Sequence, residues 1–155
     1  MRRDSIGAKE CSIARAIAVV GDPWALMFVR EALAGETRFV GFQNSTGAQP
    51  SVVSDRLKRL LDAGIFERHE YSSHPPRQEY RLTKMGEDLF PVVMALNRWG
   101  DVHLSGDAGP PLVYRHETCG HDADPIVVCG HCGDPLTFGS VTVEPGPGAT
   151  SNDPG

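Results

Sequence analysis

Between Gln49 and Thr83 the sequence QPSVVSDRLKRLLDAGIFERHEYSSHPPRQEYRLT changes its hydrophobic period at a single glycine, from that of a helix to that of strands. Before Gly64 the apolar residues Val53, Leu57, Leu60 and Leu61 recur at i, i+4, i+7 and i+8, one arc of an α-helix. The opposite arc carries Ser51, Asp55, Lys58 and Arg59, with Val52 and Arg56 along its margin. Pro50 suits the first turn because it has no amide to leave unpaired, and Gly64 suits the stop. Beyond Gly64 the period drops to two. Ile65, Glu67 and His69 alternate with Phe66, Arg68 and Glu70, and RQEYRLT is a second strand-like run. The intervening SSHPP predicts a polar, Pro-bearing loop, so a hairpin follows directly on the helix.

Upstream residues supply partners for that helix. CSIARAIAVVG places Ile13, Ile17 and Val20 on one helical face, and Gly21 closes it. Asp22-Pro23 predicts the start of the next helix, PWALMFVREALAG, since Asp accepts an orphan amide and Pro lacks one. RFVGFQNSTG, with Phe39 and Phe42 three apart, reads as a helix of one or two turns. Trp24, Phe28, Phe39 and Phe42 are read as core. A helix-turn-helix followed by two short strands is a helix-turn-helix with a β-wing. Downstream, Thr83 is placed to cap one long helix, KMGEDLFPVVMALNRWGDVHL, which Pro91 is expected to kink. Its apolar repeat exceeds what a small domain needs, which makes Leu89, Val93, Leu96 and Trp99 candidates for a dimer interface. The expected fold class is α+β: mainly α with a small wing, plus a small carboxy-terminal β-ribbon.

Taken in order, CSIARAIAVVGDPW, RF before the short helix, SDRLKRLLDAGIFER, HPPRQEYRLTKMG and RWG resemble the HxlR family of bacterial winged-helix regulators, relatives of the MarR group. The resemblance runs from Cys11 to about Gly100. It implies a homodimer that binds operator DNA through paired recognition helices and wings. Repression is the expected effect, and a small molecule or an oxidant is a candidate effector. Two departures stand out: Gln49 occupies a position where the family has better helix-capping residues, and the chain continues past Gly109.

The expected layout is an arm over 1–10, a winged helix and dimerisation helix over 11–104, a Cys/His ribbon over 112–140 and a disordered tail over 141–155. The amino terminus lacks the apolar segment of a secretory signal, and no apolar run nears the length of a membrane span, so a soluble cytoplasmic protein is expected. A formal net charge of −5 argues against a nucleic-acid partner until it is divided along the chain. Residues 1–100 hold fourteen Lys and Arg against twelve acids, whereas residues 101–155 hold Arg115 alone against eight.

On the charged helix, Ser51, Val52 and Asp55 are candidates for base contacts, Arg56, Lys58 and Arg59 for phosphates, and Ser54 is a further DNA-contact candidate. In the wing, Arg77 beside His74 is a candidate for a neighbouring minor groove, unless it pairs with Glu79. Arg38 is a further phosphate candidate, with a surface pair to Glu36 as the alternative. A pure protein-interaction module, without salt-sensitive duplex binding, is the competing class.

Cysteine usage raises two further questions. Cys11 stands near the start of the first helix, where the helix dipole can favour a thiolate, and is the candidate redox sensor. The resemblance adds that family members with a cysteine here include oxidant-responsive ones. The segment RHETCGHDADPIVVCGHC holds two ligand pairs, His116-x-x-Cys119 and Cys129-x-x-Cys132, at zinc-knuckle spacing, which points to a structural zinc. His121 and His131 compete with His116 for the fourth position, and the alternative is reduced thiols or a Cys129–Cys132 bridge. A zinc deaminase would need Glu two residues after its histidine and Pro before Cys129, where Glu117 and Val128 stand. A thioredoxin-like site would need a βαβ context that this segment lacks. The chain is therefore read as a regulator and not an enzyme.

Overall fold

The computed structural model describes residues 11–73 and 76–149; His74, the arm and the last residues of the tail lie outside the described residues. In chain order the elements are α1 Ser12–Val20, α2 Pro23–Leu33, α3 Phe39–Thr46, α4 Pro50–Asp62, β1 Phe66–Ser73, β2 Pro76–Leu82, α5 Lys84–Glu87 and α6 Phe90–Leu104. A 3-10 turn, Gly106–Ala108, follows. The chain divides into two compact units, one running to Phe90 and the other spanning Pro91–Glu144. Among the described residues no single helix is long and apolar enough to cross a membrane.

The first unit forms as local chemistry dictates. Asp22 Oδ1 accepts the amides of Trp24 at 3.0 Å and Ala25 at 3.3 Å, opening α2 with Pro23 in its first turn. At the far end of α4 the Ile65 N–H donates to Leu60 O at 2.9 Å and the Gly64 N–H to Leu61 O at 2.9 Å. That double closure needs a left-handed residue between helix and strand, and Gly64 supplies it at φ 74°. The reversal turns the chain straight into β1.

Val53, Leu57 and Leu60 are buried on the inner face of α4, with Leu61 half-buried at its margin. Phe28, Val29, Phe42 and Phe66 complete the fully buried set. Each such side chain contributes roughly 1.5–3 kcal/mol of burial. Phe42, from the short α3, is the hub: its ring lies 5.7 Å from Phe28, 5.9 Å from Phe66 and 6.4 Å from Tyr80. One residue thus joins α2, α3 and both wing strands.

β1 and β2 pair antiparallel from Phe66↔Leu82 to Ser73↔Pro76, with an irregularity between Glu70 and Ser72. The strands run further into SSHPP than the composition of that loop suggests. Tyr80 N–H donates to Thr37 O at 2.7 Å, tying β2 to the loop ahead of α3.

The structure departs from the sequence-based expectation in three further places. Val20 is buried, but Ile13 and Ile17, on the same face of α1, are 71% and 47% exposed. The long downstream helix is broken rather than kinked. Thr83 caps a single turn, α5, through Gly86 N–H at 3.2 Å, and α6 begins anew at Phe90. Pro91 is then the second residue of a helix, where its missing amide costs nothing. Finally, residues 112–140 hold no extended strand; isolated bridges Arg115↔Asp122 and Val128↔Pro135 close two tight turns instead. Pro125 and Pro135, without amides, cannot sustain a ladder there.

In the second unit Trp99 and Val102 of α6 face Ile126, Val127 and Leu136 across a groove of about 410 Å³. Arg98 Nε lies 2.6 Å from Asp124 Oδ1, an exposed tie between helix and following segment.

Candidate nucleic-acid interface

α4 presents its outer face because its inner face is core. Ser51, Ser54, Asp55, Lys58 and Arg59 are exposed there, with Val52 half-buried at the edge. Lys58 makes no ion pair among the described residues. Arg59 Nε lies 3.1 Å from Asp55 Oδ2, one turn back, an exposed pair of the kind that contributes little and releases readily.

Arg56 behaves differently. Its side chain is only 23% exposed, Nε sits 3.0 Å from Asp22 Oδ2, and a terminal nitrogen contacts Asp55. Contact with the Asp22 carboxylate outweighs the opposing effect of burial and holds the guanidinium pKa above its ordinary value, with Asp55 adding to it. Arg56, placed by sequence among the phosphate candidates, is thus engaged inside the domain, where it links α4 to the cap of α2. Gln49 makes no side-chain cap at the start of α4, as its chemistry suggests.

In the wing, Glu79 is taken by Arg81, whose Nε lies 2.7 Å away, and by the Thr37 hydroxyl at 3.3 Å. Arg77 therefore does not pair with Glu79; it is exposed and carries no ion pair among the described residues. Arg38 does not pair with Glu36 through its guanidinium either. The Glu36 carboxylate accepts the backbone amides of Thr37 and Arg38 at 2.9 and 2.8 Å. The Arg38 guanidinium instead lies 5.1 Å from the centre of the Tyr71 ring. This stack joins the start of α3 to the wing and was not foreseeable from periodicity, because the strand irregularity beside Tyr71 reorients that side chain. Arg68, not among the sequence candidates, lies over the Tyr80 ring at 5.9 Å and is exposed. Its place beside buried Phe66 in the alternating run was the available signal.

The remaining candidates lie elsewhere. Cys11 is exposed at the amino-terminal cap of α1 and its side chain makes no capping bond. On α6, Leu96 and Trp99 are 50% and 56% exposed and Val93 is half-buried; Leu89, half-buried too, lies in the turn before α6. All four cysteines are free thiols. His116 Nδ1 lies 3.3 Å from Cys119 Sγ. The backbone amides of Cys132 and His131, with the Cys132 side chain, hold the Cys129 thiol below its ordinary pKa. Two pairs are thus formed, but among the described residues no three His, Cys, Asp or Glu side chains converge as a metal site requires.

A helix-turn-helix whose basic outer face is followed at once by a two-stranded wing defines the winged-helix class of DNA-binding proteins. Residues 19–108 match the model of the HxlR-like helix-turn-helix family. The chain belongs to that family of transcriptional regulators. It is 46% identical over 137 residues to an uncharacterized HTH-type transcriptional regulator of Mycobacterium tuberculosis, covering 88% of this chain and 87% of the relative. Among solved structures it resembles PA1607 with a TM-score of 0.82 and 31% identity, over 90% of this chain and 98% of that one. The redox regulator HypR in its oxidized form matches with a TM-score of 0.56 and 28% identity, over 60% of this chain and 97% of that one.

Proposed function

We propose that the protein binds operator DNA as a homodimer in the cytoplasm and represses transcription from it. α4 enters the major groove while the β1–β2 hairpin, led by Arg77, reaches the flanking minor groove. The observation that carries this reading is the outer face of α4, where Lys58 and Arg59 stand exposed beside Ser51, Ser54 and Asp55 on a helix anchored by its buried face. Exposed apolar side chains at Leu96 and Trp99 support pairing through α6.

Footprinting on DNA flanking the protein's own gene, followed by salt titration of the protected site, tests it. Lys58→Ala and Arg59→Ala should each lower the salt slope by about one counterion. Arg77→Ala should weaken binding chiefly where the flanks are rich in A·T. A Leu96→Asp or Trp99→Asp variant should sediment as a monomer and lose more affinity than any basic substitution. Duplex binding that ignores salt and all three arginine and lysine changes would leave a protein-interaction module as the better reading.

A second reading on the same scaffold has one observation in its favour: Cys11 is an exposed thiol at a helix start, and a structural relative is a redox regulator. Oxidant added during the footprint should then release the DNA in the parent and not in Cys11→Ser.

A further inference from the structure

We propose that residues 114–136 bind one zinc ion between two knuckles, with His116 and Cys119 donated by the first and Cys129 and Cys132 by the second. The observation is a repeat in the backbone, bond for bond, at an offset of thirteen residues. In the first knuckle His116 N–H donates to His121 O at 2.9 Å and Gly120 N–H to His116 O at 2.7 Å. In the second, Cys129 N–H donates to Asp134 O and Gly133 N–H to Cys129 O, both at 2.8 Å. The outer closures match as well: Ala123 N–H to Tyr114 O at 2.7 Å, and Leu136 N–H to Val127 O at 2.8 Å. A bridge stands between them in each copy, Arg115↔Asp122 and Val128↔Pro135. Both turns also need a left-handed residue, and Gly120 and Gly133 fill it at φ 72° and 79°.

Identical turns put identical positions to the same use. The first and fourth residues of each turn are His116 and Cys119, then Cys129 and Cys132, so every such position carries a soft-metal ligand. The same alignment sorts the competing histidines. His121 corresponds to Asp134 and His131 to Thr118, so neither has a His or Cys counterpart in the other knuckle, whereas His116 and Cys119 both do. The separation of His116 Nδ1 and Cys119 Sγ, 3.3 Å, is close to the edge of about 3.6 Å that Zn–N and Zn–S bonds impose in a tetrahedron. Each knuckle is a two-ligand half-site, and closing them on one ion completes a Cys3His set. The match to PA1607 leaves only about a tenth of this chain uncovered, too little to omit this whole segment, whereas the match to HypR covers 60%.

The test uses the full chain, purified under reducing conditions without chelator. Elemental mass spectrometry should return about one zinc per chain. Cys129→Ser and Cys132→Ser should lower that content at least about tenfold, and His116→Ala should lower it more than His121→Ala or His131→Ala. Cobalt(II) added to the chelator-stripped parent provides a readout that needs no variant: tetrahedral visible bands with thiolate-to-cobalt absorption should saturate at one equivalent. No zinc and no such bands from reduced protein would overturn the proposal. So would a Cys129–Cys132 disulfide in metal-free protein as isolated, or equal losses from His116→Ala and His121→Ala.

Discussion

Asp22 does two jobs at one carboxylate, and the two can be separated. One oxygen caps α2 and the other holds Arg56 of α4. Removing a capping Asp costs about 1 kcal/mol. Stranding Arg56 adds to that: a pair this enclosed lies between an exposed ion pair, about 0.2–1 kcal/mol, and a fully buried one, about 3–5. Asp55 stays in contact with Arg56 and softens the loss, so about 1 kcal/mol is the reasonable share. Asp22→Ala should therefore destabilise by about 2 kcal/mol, some 8–16 °C in Tm for a domain of this size. Asn caps as well as Asp but carries no charge, so Asp22→Asn should lose only about 1 kcal/mol. Urea unfolding of the full chain, followed by circular dichroism at one fixed concentration, measures both. Arg56→Ala closes the cycle, and the Asp22→Asn, Arg56→Ala double variant should fall short of additivity by about 1 kcal/mol. An Asp22→Asn variant as stable as the parent would refute the anchoring role of Arg56.

Gly86→Ala sets a helix gain of about 1 kcal/mol against a Cβ that would stand 2.4 Å from Ile65 O and 2.8 Å from Leu82 Cδ2. Backbone cannot yield there without loosening Thr83 N–H to Ile65 O, so a net loss of about 1–2 kcal/mol is expected, and a raised urea midpoint would contradict it. Gln49→Ser should add the cap that α4 lacks and stabilise by about 0.5–1 kcal/mol; Gln49→Asp should stabilise similarly yet weaken DNA binding by adding a negative charge at the groove-facing end. Comparing thermal midpoints with gel-shift affinities separates those two effects. Phe42→Ala should cost about 3–5 kcal/mol, read as a lower urea midpoint, because it removes the ring that joins α3 to three other elements.

Features set by neighbours along the chain are legible in the sequence itself. The α2 cap at Asp22, the stop at Gly64, the inner face Val53, Leu57 and Leu60, and the two wing strands each follow from a local pattern. What escapes that reading depends on residues distant in the chain. Arg56 sits on the margin of its helix in sequence, and only the arrival of Asp22, thirty-four positions earlier, decides which way it turns. Arg38 and Tyr71 likewise meet only because a strand irregularity intervenes. In the downstream helix the signal is present but easily misweighed, since a proline tolerated in a first turn is as good a sign of a new helix as of a bent one. The knuckle repeat is half visible: spacing shows the ligand pairs, while the matched backbone bonds emerge only once the chain is folded.

The hub at Phe42 also has a consequence for how the wing meets its target. A two-stranded hairpin is marginal alone, and this one is held at its base, where Phe66 and Tyr80 pack on Phe42 and Tyr80 bonds to Thr37, with the Arg38–Tyr71 stack as its outermost tie. Amides near Phe66 and Tyr80 should exchange with solvent only when the whole domain opens, and those beyond the Glu70–Ser72 irregularity, where Arg77 sits, should exchange orders of magnitude sooner. Quieting that outer stretch on a duplex gives up entropy in return for contact enthalpy. The wing's share of binding should therefore grow as the temperature falls, and calorimetry of Arg77→Ala against the parent should show it as a smaller heat of association.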